Sequence, residues 1–208
     1  MTLLQALEII GGFSKPSKMP CHSWSIPAKN CLTGSKLFKI AGSICSKCYA
    51  FRGFYPTPNV KNALQRRFES LSNPDWQKAM TVAISGSEGS GFFRWFDSGD
   101  IQSLAHLKQI AQIAKNLPSI QFWLPTKEYG IVTEYLKENE LPENLTIRLS
   151  GFMVDGPAPV GLANSLGLVT STVVSKDFTC PASSQGNKCL SCRSCWDKTV
   201  QNVAYKYH

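Results

Sequence analysis

Acidic side chains are nearly missing from the first third of this chain: residues 1–72 hold only Glu8 and Glu69, against ten Lys or Arg. The remaining residues balance twelve basic against twelve acidic side chains, so the whole formal charge of +8 sits near the N-terminus. Such a field attracts a polyanion or an acidic protein. Histidine is also scarce, at three in 208 residues. Asp97 and Asp100 therefore lack a His or a third carboxylate at a spacing suited to hydrolysis or transfer with a divalent metal. No stretch approaches 18 uninterrupted apolar residues, which excludes an ordinary membrane-spanning helix. Residues 1–12 show neither a basic lead nor a cleavage pattern, and the expectation is a cytoplasmic monomer away from any membrane.

Cysteine is what the chain does have, eight in all. That is too many for an ordinary cytosolic core and few for a disulfide-built scaffold of this length. Cys189, Cys192 and Cys195 recur every third residue, and such a C-x2-C-x2-C run holds three corners of a [4Fe-4S] cube in bacterial ferredoxins. Cys180, followed by Pro181, is the nearest fourth ligand. Cys21, Cys31, Cys45 and Cys48 make a second set of four inside residues 13–48, a stretch of Lys, Ser, Gly and Pro without periodicity that metal ligation would hold together. Two [4Fe-4S] clusters need eight ligands; zinc is the alternative, since it too accepts four thiolates. His22, beside Cys21, reads as a loop residue rather than a ligand.

Periodicity predicts a short apolar turn or helix over 3–10, helices over 59–71 and from 74, and an apolar strand over 92–96 covered on both faces. Strand and helix then alternate: Ile101–Asn116, a strand at 120–124, a helix through Lys137, and strands at 145–149 and 167–175. Residues 152–166 read as a loop replacing one crossover, and 196–207 as a closing helix. Alternation of this kind means parallel βα units. The expected fold is α/β, an incomplete (β/α) barrel of parallel strands (59–208) with an irregular, cysteine-rich and basic N-terminal segment (1–58). Ligands of parallel folds bind beyond the carboxyl ends of the strands, which nominates Asp97, Asp100, Thr126 and Lys127 for cofactor binding. Asp100 reads equally as the N-cap of the helix that follows.

Several of these segments resemble the phage gene-product-88 family: Cys45-Ser-Lys-Cys48-Tyr49-Ala50, Phe96-Asp-Ser-Gly-Asp100, Phe122-Trp123 with Thr126, and Cys180-Pro181 followed by Cys189, Cys192 and Cys195-Trp196. The chain is more remotely similar to the partial barrel of radical S-adenosylmethionine enzymes. The resemblance implies a phage or bacterial setting, inside an infected cell, with iron–sulfur ligation at both cysteine groups. S-adenosylmethionine is not expected, because those enzymes use C-x3-C-x2-C on one loop, whereas thirteen residues separate Cys31 from Cys45. Two function classes follow. One is an iron–sulfur redox or electron-transfer protein with a redox or host protein partner. The other is a structural metalloprotein that binds nucleic acid or a host protein through basic residues such as Lys29, Lys36, Lys39, Lys47, Arg52, Arg66 and Arg67. Phe38, Tyr49, Phe51, Phe54 and Tyr55 interleave with that run and read as a small core for the N-terminal lobe, or as rings that stack on bases.

Overall fold

The computed structural model describes residues 1–207. Six strands form one all-parallel sheet: β1 (Ser23–Trp24), β2 (Phe92–Trp95), β3 (Gln121–Thr126), β4 (Leu145–Ser150), β5 (Val169–Val174) and β6 (Asn202–Lys206). Their order in space is their order in the chain, and the sheet stays open. This is the incomplete barrel that the alternating pattern predicts.

Alternation along each strand sorts the side chains onto two faces. Phe93, Trp95, Phe122, Leu124, Leu145, Ile147 and Leu149 point to one face and are buried with residues of the helices. The helices of the chain are α1 (Leu3–Ile9), α2 (Leu32–Leu37), α3 (Pro58–Ser70), α4 (Trp76–Ser87), α5 (Leu104–Asn116), α6 (Tyr129–Leu136) and α7 (Val160–Ser165), and all but α2 contribute to that core. Their ends follow ordinary capping chemistry. Thr2 and Gln5 form a capping box on α1, Pro58 opens α3, and the Ser103 hydroxyl accepts from the His106 amide at 3.1 Å to start α5. The core between helices and sheet is rich in indole: Trp24, Trp76 and Trp95 are fully buried and meet at 5.2–6.3 Å. Each such side chain contributes on the order of 3 kcal/mol through burial.

Arg94 of β2 lies opposite Trp123 of β3, which lies opposite Thr146 of β4, and Arg148 follows two residues on. These side chains occupy the other face of the sheet. No helix covers them; the cover is the long connection from β5 to β6, whose one regular element is a short 3-10 turn at Pro181–Ser184. Strand order advances in one direction throughout, while this last connection crosses the face opposite the helices. Its hand is therefore opposite to that of the helical crossovers.

The structure corrects three expectations. Residues 196–207 do not close the fold as a helix: Asn202–Lys206 pairs with β5, from Thr170↔Asn202 to Val174↔Lys206. Residues 152–166 contain α7. The helix after Asp100 begins at Leu104 with Ser103 as its cap, so Asp100 is not that helix's N-cap. Residues 1–58 share the sheet and the main core with the rest of the chain through β1 and through Ala6, Ile10, Trp24 and Ile26.

Candidate metal centres

The C-terminal cysteines are held against the sheet by one buried arginine. Arg148 has all five N–H bonds directed at backbone carbonyls: Cys195 (3.0 Å), Thr170 (3.1 Å), Val200 (2.9 Å), Ser194 (2.5 Å) and Asp197 (2.7 Å). A guanidinium has five donors in a fixed plane, so one side chain here orders the turn from Ser194 to Val200. Thr146 donates to the Trp196 carbonyl at 2.7 Å, and the Trp196 indole donates to the Phe93 carbonyl at 2.9 Å. The loop is thereby fixed across β2, β4 and β5. Cys195 meets the Tyr205 hydroxyl of β6 at 3.2 Å, and the Cys180 amide donates to the Ala204 carbonyl at 3.0 Å.

Cys21 joins this group and leaves its sequence neighbours. It is buried in a cluster with Met19, Trp123 and Trp196, against which Cys189 and Cys195 pack. The cause is β1: Ser23 pairs with Arg94, which carries Cys21 to the loop-covered face. The Cys189 amide donates to the Lys18 carbonyl at 2.8 Å, tying the two segments together. His22 is a loop residue, as expected, with its ring nitrogen 3.0 Å from the Glu88 carboxylate. Burial works against the charge on Glu88, but hydrogen bonds from Ser90 and His22 outweigh it and hold the carboxyl below its usual range.

Arg94 stands among these thiols. It lies 4.4 Å from the Trp123 ring, donates weakly to Met19 sulfur and the Phe96 carbonyl, and its Nε has no partner. No carboxylate lies within ion-pair distance of it among the described residues. Burial pushes the Cys21 thiol up to about 12 and the Cys195 thiol up to about 11, against the pull of this guanidinium. Thiols so placed become thiolates when a metal offsets the cost of desolvation.

Cys31, Cys45 and Cys48 form the second group, at the carboxyl ends of β2 and β3. Burial raises the Cys31 and Cys45 thiols, and the neighbours that act on them are Asp100, Glu128, Lys127 and the other cysteines of this trio. Loop-to-sheet bonds hold the trio there. Thr33 gives its amide and hydroxyl to Glu128 at 2.8 and 2.7 Å, and Ile44 and Val154 donate to the Phe152 and Gly42 carbonyls. Gly34 lines the site: a Cβ there would stand 2.9 Å from Cys31 Cβ, 3.5 Å from its sulfur and 3.6 Å from Cys45 sulfur. Any side chain would fill the space between those sulfurs.

Of the four residues nominated at the strand ends, three come together. Asp100 accepts from the Thr126 hydroxyl (2.6 Å), the Lys127 amide (2.8 Å) and the Ile101 amide (2.8 Å), and burial pushes its carboxyl up to about 6 despite these donors. Lys127 directs its charge toward Cys31 and Cys45 and makes no ion pair among the described residues. Asp97 is a separate knot. It accepts hydroxyls from Ser23 and Tyr55 at 2.8 Å and from Ser25, and its carbonyl accepts from Tyr49. Burial opposes its charge, but Arg94 and these hydroxyls hold its carboxyl below the usual range. Its oxygens are taken up in fastening residues 23–25 and 49–55 to β2. Gly99 serves the same junction, since a Cβ there would meet the Ile26 carbonyl at 2.9 Å.

Two expectations about the basic segment change. Arg67 is buried and donates to the Gly12 carbonyl and the Ser14 hydroxyl, so it is not available to phosphate. Phe38, Tyr49, Phe51 and Phe54 do not form a core: they stay 45–85 % exposed, because the six-residue α2 offers too little surface to cover them. Sequence reasoning missed Arg94, Arg148 and Glu128. A charged residue in mid-strand, as at 94 and 148, is the signal that could have found the first two.

Among the described residues, no three His, Cys, Asp or Glu side chains gather closely enough to hold a single metal ion. An all-thiol donor set divided between two places suits multi-iron clusters, whose thiolates sit on separate corners. A groove of about 750 Å³ lies elsewhere, at the amino ends of β4 and β5 beside Leu145, Val169 and Lys198. No helix is long and apolar enough to cross a membrane. No curated protein and no solved structure matches the chain. The model for gene product 88 matches residues 5–158, which include Cys21, Cys31, Cys45 and Cys48 and stop short of Cys180. The chain belongs to the gene product 88 family.

Proposed function

We propose that the protein is a two-centre iron–sulfur protein that moves electrons in a phage-infected or bacterial cell. The observation that supports this reading is the division of eight thiols into two groups, with Arg94 beside one and Lys127 beside the other. Each cation would offset part of the negative charge of a thiolate-ligated cluster. Cys31, Cys45 and Cys48 would hold one cluster by three thiolates. Four of Cys21, Cys180, Cys189, Cys192 and Cys195 would hold the other. The expected grouping by sequence, four and four, thus gives way to three and five. Such clusters supply reversible one-electron transfer at potentials set by charge, hydrogen bonds and exposure. Arg94 and the Tyr205 hydroxyl act on the buried group; Lys127 acts on the strand-end group.

Protein prepared without oxygen should contain about eight irons and eight acid-labile sulfides per chain. Cys48→Ser and Cys192→Ser should each remove the spectrum of one centre and leave the other. The three-thiol centre, with one corner lacking a cysteine, should convert to a three-iron species under mild oxidation, and Cys21→Ser should leave that conversion intact. Stoichiometric zinc without sulfide would end this reading, and a single centre shared by Cys45 and Cys192 would end the assignment of ligands.

A further inference from the structure

Residues 9–68 contain ten Lys or Arg and no acidic residue, and the part of this segment around the three-thiol group leaves apolar side chains in solvent. Phe54 is 85 % exposed, Phe38 49 % and Ile40 47 %. Leu32 and Met153 are also exposed, and Met153 is bridged to Ser43 at the foot of the same loop. Lys36, Lys39, Lys47 and Arg52 are exposed around them. We infer that this face docks an acidic electron-transfer protein, whose apolar centre covers Phe54, Phe38 and Ile40 and whose acidic rim meets the lysines. The proposal rests on the two-centre reading above and names the partner of the strand-end centre.

Two observations favour a protein over a single-stranded nucleic acid. Bases stack on free, flat rings, but Phe38 and Phe51 are spent on each other, edge to face at 5.3 Å and 62°. Tyr49 packs against Tyr55 at 5.8 Å and its hydroxyl is tied to Asp97, which leaves Phe54 as the free ring. Aliphatic side chains make up much of the rest of the patch, and they offer a base no stacking surface while suiting the apolar centre of a protein interface. Leu32 of the patch directly follows Cys31, so a partner seated on it comes close to the strand-end thiols.

The test uses the iron-loaded protein and an acidic flavodoxin as probe. Reduction by flavodoxin hydroquinone, followed by stopped flow, should slow about tenfold between about 50 and 300 mM salt, as steered encounters do. Lys36→Glu with Lys39→Glu, and separately Phe54→Ser, should each slow it about tenfold, with iron content and photoreduction by free deazaflavin unchanged. Salt-independent reduction, or fully loaded variants reduced at the parental rate, would overturn the proposal. Tight binding of a labelled oligothymidylate that Lys36→Glu/Lys39→Glu abolishes, with flavodoxin inert, would assign the face to nucleic acid instead. Iron and sulfide assays on the same samples separate this result from failure of the two-centre reading, which would show as metal-free protein.

Discussion

The two faces of the sheet are built on opposite principles. Under the helices, Phe93, Trp95, Phe122 and Leu124 are buried against other apolar side chains, and stability there scales with area removed from water. On the other face Thr146 and Arg148 meet a loop that has no α-helix, and what joins them is a set of hydrogen bonds to loop carbonyls. The first face needs only the right volumes. The second depends on donors aimed at the loop, because a buried polar group without its partner costs more than a made bond returns. One strand thus carries two folding problems, one on even and one on odd positions.

Breaking the polar face at its centre should have the largest effect. Arg148→Met removes the donor of five carbonyls and is expected to cost about 4 kcal/mol, with loss of the cluster assigned to the C-terminal cysteines while the Cys31, Cys45 and Cys48 centre keeps its spectrum. Denaturant unfolding with iron analysis measures both. Retention of both spectra and parental stability would remove Arg148 from its assigned role.

The apolar face can be probed by acid. His106 is fully buried among Trp24, Trp76 and Phe96, and burial pushes its imidazole down to about 3. Its folded form stays neutral where the unfolded chain takes up a proton, so its contribution is whole above about pH 6.5 and falls as pH drops toward 3. Between about pH 6.5 and 5 the loss should be near 2 kcal/mol. His106→Phe should flatten that slope in unfolding midpoints; an unchanged slope would show that other groups govern acid sensitivity. The smallest effect is expected at the junction of the two faces. Asp97→Asn replaces one acceptor of three hydroxyls and should cost about 1–2 kcal/mol without changing iron content. Loss of iron in that variant would place Asp97 in a centre rather than in the scaffold.

Much of the apolar face was legible in the chain, because Phe92–Phe96, Ile120–Leu124 and Leu145–Leu149 are dense runs between helical periods. The polar face was not. Ser23–Trp24 is a two-residue strand in a serine-rich stretch, and its partnership with Arg94 is a tertiary fact; without it, Cys21 falls with Cys31 by nearness in sequence. Trp196, Val200, Val203 and Tyr207 are spaced three or four apart, a helical pattern, yet Trp196 packs on Phe92 and Trp123 while Val203 pairs with Ser171 of β5. The number and spacing of the cysteines raise the expectation of metal. Which of them face one another depends on two arginines that no spacing rule marks.

The reversed hand of the last connection also bears on aggregation. Strand β6 reaches the sheet only through the thiol-bearing loop, and should that loop come loose, β5 becomes the edge. Its sequence, Val-Thr-Ser-Thr-Val-Val at 169–174, has neither charge nor proline, the composition of segments that pair with their own copies. If the proposed iron centre forms on that loop, its assembly would guard an adhesive strand, and a chain starved of iron should be lost to insoluble β-rich aggregates before its helices unfold.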